Sequence, residues 1–259
     1  MKQFLKRSLF KFAPRQMAIF QSIRARRKSH SLIKKWGINT LNIKLRKLIG
    51  NTVMSGPFEG LKLPDAAFSE HVGPYLFGSY ENELNVVWEK IFTKDYDQII
   101  DIGCKFGFYA VGLAKKFPKA MVYAFDIDPW ARLATRRSAE LNGVNNITVG
   151  KFFEKDFIRN SLKPNSLIIC DVDGAEFNLF GSDLKPFLGK ADAIIELHDC
   201  FVDGCEQAVR SAFPEERSCS LIELRKEKIE RTEFSFLSRE ERILALNEIR
   251  PDQKWICWT

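Results

Sequence analysis

The chain has 259 residues, enough for one α/β domain with a sizeable core and an appendage. Its 45% hydrophobic and 28% charged content is that of a soluble globular protein, and its six cysteines show neither a CxxC pair nor the spacing of a disulfide scaffold. The net charge of +7 is uneven: residues 1–58 hold fourteen Lys or Arg and no acid, while the other 26 bases face all 33 acids, a net of −7. No apolar run approaches the ~20 residues that span a bilayer. Bases interrupt every apolar run of the N-terminus, which argues against a secretory signal, and heavy use of Lys with little Ser argues against an organellar transit peptide. Reduced thiols then point to a cytoplasmic protein.

Residues 1–50 read as a basic, partly amphipathic N-terminal extension. Leu5, Leu9 and Phe12 fall at helical spacing, as do Phe20, Ile23 and Arg27, and Pro14 divides two helical pieces. Three readings stay open for residues 1–48: a helix lying on an anionic membrane surface, an arm for nucleic acid, or a helical cap packing its apolar side on the domain. Residues 51–97 form a Gly- and Pro-punctuated loop with a short hairpin, followed by a helix from Asn82 to Phe92 whose inner face is Leu84, Val87, Trp88 and Ile91.

The domain proper is expected over residues 98–259. Ile99 to Ile102 is a buried strand, Gly103 to Gly107 a glycine loop, and Phe108 to Phe117 a helix ended by Pro118. A second strand, Met121 to Phe125, stops at Asp126. Pro129 opens a helix with Asp128 as candidate N-cap, and Asn142-Gly143 closes it. Further strands are read at Ile147 to Val149, Ser166 to Cys170 and Ala191 to Leu197. A helix follows from Gly204 to Phe213, with strand-like segments at Ser220 to Leu224 and Lys254 to Trp258. This alternation predicts an α/β fold: a doubly wound, Rossmann-like, mostly parallel seven-stranded sheet with a basic helical extension. Such sheets bind ligands beyond the carboxyl ends of their strands, so the glycine loop and the strand-end acids share one rim.

The loop pattern is Asp101-x-Gly103-x-x-x-Gly107-x-Tyr109, in place of GxGxxG. Its glycines allow a tight turn and close approach of a ligand to the backbone. A carboxylate at the strand end repels a pyrophosphate and suits an ammonium and a sulfonium, which disfavours NAD and favours S-adenosylmethionine. Asp126, at the end of the next strand, is placed to accept hydrogen bonds from both ribose hydroxyls. Asp171 ends the fourth strand as Asp101 ends the first.

These stretches resemble class I S-adenosylmethionine-dependent methyltransferases and, more narrowly, the FkbM family. Gly78-Ser79-Tyr80-Glu81-Asn82-Glu83, Asp101-Ile102-Gly103 through Tyr109, Ala124-Phe125-Asp126 and Asp171-Val172-Asp173-Gly174-Ala175-Glu176 carry the likeness, which spans about residues 76–200. Asp173 and Asp126 stand where that family usually has Glu, and the C-terminal sixty residues lie outside the likeness. The resemblance implies methyl transfer to a hydroxyl of a sugar, glycan or small metabolite. It also implies that Gly103 and Gly107 shape the methionine pocket, Asp126 holds the ribose, Asp101 faces the amino group, and Tyr80 and Glu81 lie near the cofactor. Asp128 joins this cofactor-binding set.

A hydroxyl acceptor must lose its proton, and Asp171, Asp173, Glu176 and His198 are the candidate bases, with Asp171, Asp173 and His198 taken as the catalytic set. Asp171, Glu196, Asp199 and His198 carry donors suited to a divalent cation, but the pattern does not require a metal and none is expected. Glu176 reads equally as a first-turn acid of the next helix. Trp255 and Trp258 are read as packing on the last strands or shaping the acceptor pocket. An RNA methyltransferase using the basic arm is the first alternative; Cys170-Asp171-Val172-Asp173 in place of an NPPY-type tetrad makes nucleic acid the lesser reading. A membrane-surface binding protein that keeps the fold without turnover is the second.

Overall fold

The computed structural model describes residues 31, 33–224, 229, 234–250 and 253–259. Leu5 to Arg27, and Pro14 among them, lie outside the described residues.

The described part of the basic extension packs on the domain. Helix α1, Ile38–Ile49, starts after the left-handed Gly37 and buries Ile38, Leu41, Asn42 and Leu45. Asn42 Nδ2 donates to the Phe68 and Glu70 carbonyls at 2.9 and 2.6 Å, and Lys44 pairs with Glu241 at 2.6 Å. Residues 51–69 make a single antiparallel bridge, Thr52 to Lys62, and a 3-10 turn at Asp65–Ser69. A short helix, α2 (Gly73–Leu76), leads to the next segment. Where one helix is expected from Asn82, the chain makes a 3-10 turn at Asn82–Leu84 and then α3, Asn85–Ile91. Its inner face is the expected one, with Leu84, Val87, Trp88 and Ile91 buried.

From residue 98 the order is β1 (Gln98–Ile102), α4 (Phe108–Lys116), β2 (Met121–Phe125), α5 (Pro129–Asn142), β3 (Ile147–Gly150), α6 (Lys155–Ser161), β4 (Ser166–Cys170), α7 (Glu176–Leu179), β5 (Asp192–Leu197), α8 (Cys205–Ser211), β6 (Ser220–Glu223), α9 (Arg239–Leu246) and β7 (Lys254–Trp258). The sheet runs β3-β2-β1-β4-β5-β7-β6. Strands β1 to β5 are parallel, and β7 pairs antiparallel with both β5 and β6. This is the doubly wound, Rossmann-like sheet of seven strands.

β1, β4 and β5 are buried along their whole length, which is why they read as unbroken apolar runs rather than alternating ones. Ile99, Leu167 and Ile194 face one core with α1, α3 and α4, while Ile100, Ile168, Ala193 and Ile195 face a second core with Val209 and Phe213. Trp255 and Trp258 are core residues, and Trp258 stacks on Phe213 at 3.8 Å between centroids. Among the described residues no helix is long and apolar enough to cross a membrane.

After β3 the chain returns to lay β4 beside β1, so the winding reverses between the carboxyl ends of these two strands. A crevice opens at such a reversal.

Candidate functional site

The loop after β1 lies hard against the exit of β4. Gly103 has φ +93, and a Cβ on it would stand 1.8 Å from the Asp171 carbonyl oxygen. Only glycine permits both that backbone conformation and that approach. The Gly103 amide donates to the Phe125 carbonyl at 2.8 Å, and the Asp171 amide to the Ile102 carbonyl at 2.9 Å. The loop is thereby tied to the ends of β2 and β4 together. Gly107, with φ +86, caps α4 in the left-handed region.

Three strand ends bring their acids to this rim. Asp101, paired across β1 with Ala124 and Ile169, is 3% exposed, and its Oδ2 has no hydrogen-bond partner among the described residues. Burial pushes its carboxyl up to about 8, with Asp126 and Asp171 adding to the shift and the Ala110 backbone amide opposing it. An orphaned buried carboxylate oxygen of this kind fits a cationic group of a bound molecule. Asp126 is held by backbone amides: Oδ2 accepts from Lys105 at 2.9 Å and Oδ1 from Asp128 at 2.8 Å. Burial moves it up to about 6 against those bonds. Asp128 caps α5 as expected, accepting from the Trp130 amide at 2.8 Å.

On the upstream side, Tyr80 stacks on Tyr75 at 3.8 Å. Glu81, in the left-handed region at φ +46, is buried; it accepts a short hydrogen bond from the Tyr109 hydroxyl and pairs with Arg250 at 3.3 Å. Burial raises its carboxyl, opposed by Arg250.

A second constellation follows β4 and β5. The Asp173-Gly174 turn is left-handed at both residues, φ +51 and +98. It folds the chain back so that Glu176 points inward, fully buried, and accepts from the Val172 amide at 3.2 Å. Glu176 Oε1 also holds His198 Nδ1 at 2.8 Å. The other ring nitrogen, His198 Nε2, lies 3.4 Å from Glu196, 3.7 Å from Asp171 and 3.8 Å from Asp173. Despite the burial of the ring, Glu176, Asp171 and Asp173 raise His198 to about 9. Asp171, Asp173, Glu196 and His198 are thus gathered in one place. Asp199 is not among them: its carboxylate accepts from the Gly204 and Glu206 amides, both at 3.0 Å, and shapes the start of α8.

Arg250 was invisible to sequence reasoning. Its guanidinium joins Glu81, Glu83, Glu196 and Glu248, linking the upstream loop to β5. Those partners lie up to 169 residues away in the chain, and a lone Arg in a mixed segment carries no signal of them.

The family model of the methyltransferase small domain matches residues 82–171, from the turn before α3 to the acid that ends β4. No curated protein matches the chain. Among solved structures, the precorrin-6y C5,15-methyltransferase of Geobacter metallireducens is similar at 13% identity, over 67% of this chain and 87% of that one, with a TM-score of 0.43. An rRNA methylase of Streptococcus thermophilus is similar at 14% identity, over 68% and 94%, with a TM-score of 0.46. The domain match, the sheet order and the acid-lined crevice agree, and the protein is an enzyme of the S-adenosylmethionine-dependent methyltransferase type.

Proposed function

We propose that the protein is an O-methyltransferase of the FkbM type, transferring the S-adenosylmethionine methyl group to a hydroxyl of a sugar, glycan or small metabolite. The observation that carries this reading is the convergence of Asp101, Asp126 and Asp171 on one rim around Gly103, beside the proton-accepting set Asp171, Asp173 and His198. Asp101 faces the cofactor's ammonium through its unpartnered oxygen, and Asp126 takes the ribose hydroxyls. Gly103 and Gly107 let the methionine part approach the backbone. Tyr80, Glu81 and Asp128 complete the surroundings of the cofactor.

The displacement at the sulfonium methyl gains chiefly from holding the acceptor oxygen in line with it. As the oxygen attacks, the acceptor's O–H proton passes to the carboxylate and imidazole set, and the C–S electron pair goes to sulfur. A neutral amine of a nucleobase needs no such proton acceptor before attack, and the domain beyond residue 58 is net acidic, which disfavours a polyanionic acceptor. Residues 98–259 form the catalytic domain, with residues 51–80 and 200–250 bordering the acceptor.

The test is methyl transfer from radiolabelled S-adenosylmethionine to a panel of sugars, glycans and small alcohols, with RNA as the opposing arm. Label on a hydroxyl acceptor, lost in Asp171→Asn, is the expected result. Label on RNA alone overturns the acceptor class.

A further inference from the structure

His198 Nε2 is a buried polar atom without a hydrogen-bond partner among the described residues, on a side chain with no exposed surface. It faces three carboxylates: Glu196, Asp171 and Asp173. The hydrogen bond of Nδ1 to Glu176 fixes the tautomer: a neutral ring gives its proton to Glu176 and turns a bare lone pair toward the acids. Arg250 takes only the Oε1 side of Glu196, at 3.1 Å, leaving Oε2 toward His198.

We propose that Asp171, Glu196 and His198 Nε2 form a binding site for a divalent first-row cation, with Glu176 orienting the imidazole from behind. One ligand atom from each residue lies within 4.8 Å of the others. Metal–ligand distances of about 2.0–2.2 Å ask these side chains to draw in by roughly an ångström or less. A carboxylate–histidine–metal arrangement, with the second ring nitrogen held by an acid, is the usual support for a metal-bound His. The mixed imidazole and carboxylate donors suit Mn2+ or Zn2+ better than Ca2+. Asp173, with 70% of its side chain exposed, borders the site on its solvent side.

The site deepens the O-methyltransferase reading and rests on it for its purpose: with a cation on Asp171 and His198, Asp173 is the member of the proton-accepting set that takes the proton. A cation there receives the acceptor oxygen and lowers the pKa of its hydroxyl, as bound Zn2+ does for water. The O–H proton goes to the Asp173 carboxylate, the oxygen lone pair forms the new O–C bond, and the C–S bond breaks with its electron pair on the neutral thioether of S-adenosylhomocysteine.

The experiment is binding of Mn2+ to the chelator-treated full chain, followed by the loss of the free-ion electron paramagnetic resonance signal, and of Zn2+ by calorimetry. S-adenosylhomocysteine titration is run on the same samples. One Mn2+ or Zn2+ per chain is expected, weakened about tenfold or more in His198→Gln and in Asp171→Asn, and by about 10–100-fold in Glu176→Gln. S-adenosylhomocysteine binding that persists in His198→Gln shows that the variant is folded. No Mn2+ or Zn2+ binding by a wild-type sample that still takes up S-adenosylhomocysteine overturns the site, as does undiminished metal binding by a folded His198→Gln. Metal binding of the expected pattern without any S-adenosylhomocysteine binding supports the site and faults the cofactor assignment instead.

Discussion

The buried carboxyl of Asp101 makes cofactor affinity depend on pH. Its pKa stands at about 8, raised by burial and by the neighbouring Asp126 and Asp171, so it is protonated at neutral pH. Against a ligand ammonium the ionised form is favoured, so binding expels a proton and the bound state carries fewer protons than the free one. Affinity therefore rises with pH until Asp101 is ionised in the free protein as well. With one pKa unit equal to 1.36 kcal/mol, a pKa of about 8 weakens binding about a hundredfold at pH 6.0 and about fourfold at pH 7.5 relative to the ionised site. The expected gain between these two values is about twentyfold to thirtyfold. Asp126, moved up to about 6, adds only about a factor of two at the acid end. Calorimetric titration with S-adenosylhomocysteine, which keeps the amino group but not the sulfonium charge, reads this directly. In Asp101→Asn the pH dependence should flatten to about twofold. A wild-type affinity flat to within about twofold over that range refutes the pairing of Asp101 with the ammonium.

Other outcomes follow from the same structure. Gly103→Ala places a methyl 1.8 Å from the Asp171 carbonyl in a left-handed conformation, so S-adenosylhomocysteine affinity should fall at least about tenfold and stability by about 1–3 kcal/mol, read by calorimetry and chemical denaturation. Asp128→Ala removes the α5 N-cap and should cost about 1 kcal/mol, lowering Tm by about 2–4 °C, whereas Asp128→Ser should retain it. Asn42→Ala leaves the Phe68 and Glu70 carbonyls without their donor and should cost about 1–3 kcal/mol in the same melts. The ligand-free protein should lose thermal stability from pH 5 to pH 9. Asp101, up at about 8, and His198, up at about 9, both hold protons more tightly folded than unfolded; their contributions are full at low pH and lost as pH rises through those values. A Tm that climbs over that range contradicts both assignments.

The placement of Asp101, Asp126 and Asp171 on one rim was legible because each lies within a residue of the end of an apolar run, and parallel strands put all such ends on one side of a sheet. The α5 caps were legible from local chemistry alone, with Asp128 before Pro129 and Gly143 at the far end. What the pattern lacked was direction and distance. Lys254 to Trp258 reads as a strand in either orientation, and only its pairing with β5 sets it antiparallel. Helix α9 hides in the charged run Arg239 to Arg242, although Ser238 and Glu241 form a capping box there. Basic, partly amphipathic character marks the extension without saying what covers its apolar side; for Leu41 and Leu45 of α1 the domain core does. Arg250 and Glu248 meet Glu81 through contacts about 170 residues apart in the chain, which no local spacing encodes.

A crystal structure of the protein grown with S-adenosylhomocysteine tests the central claim most directly. The account predicts ribose hydroxyls on the Asp126 carboxylate, the amino group against Asp101 Oδ2, and the sulfur turned toward Asp171 and His198. A nucleoside seated away from the β1 and β4 ends, with Asp101 still unpartnered beneath it, contradicts the account.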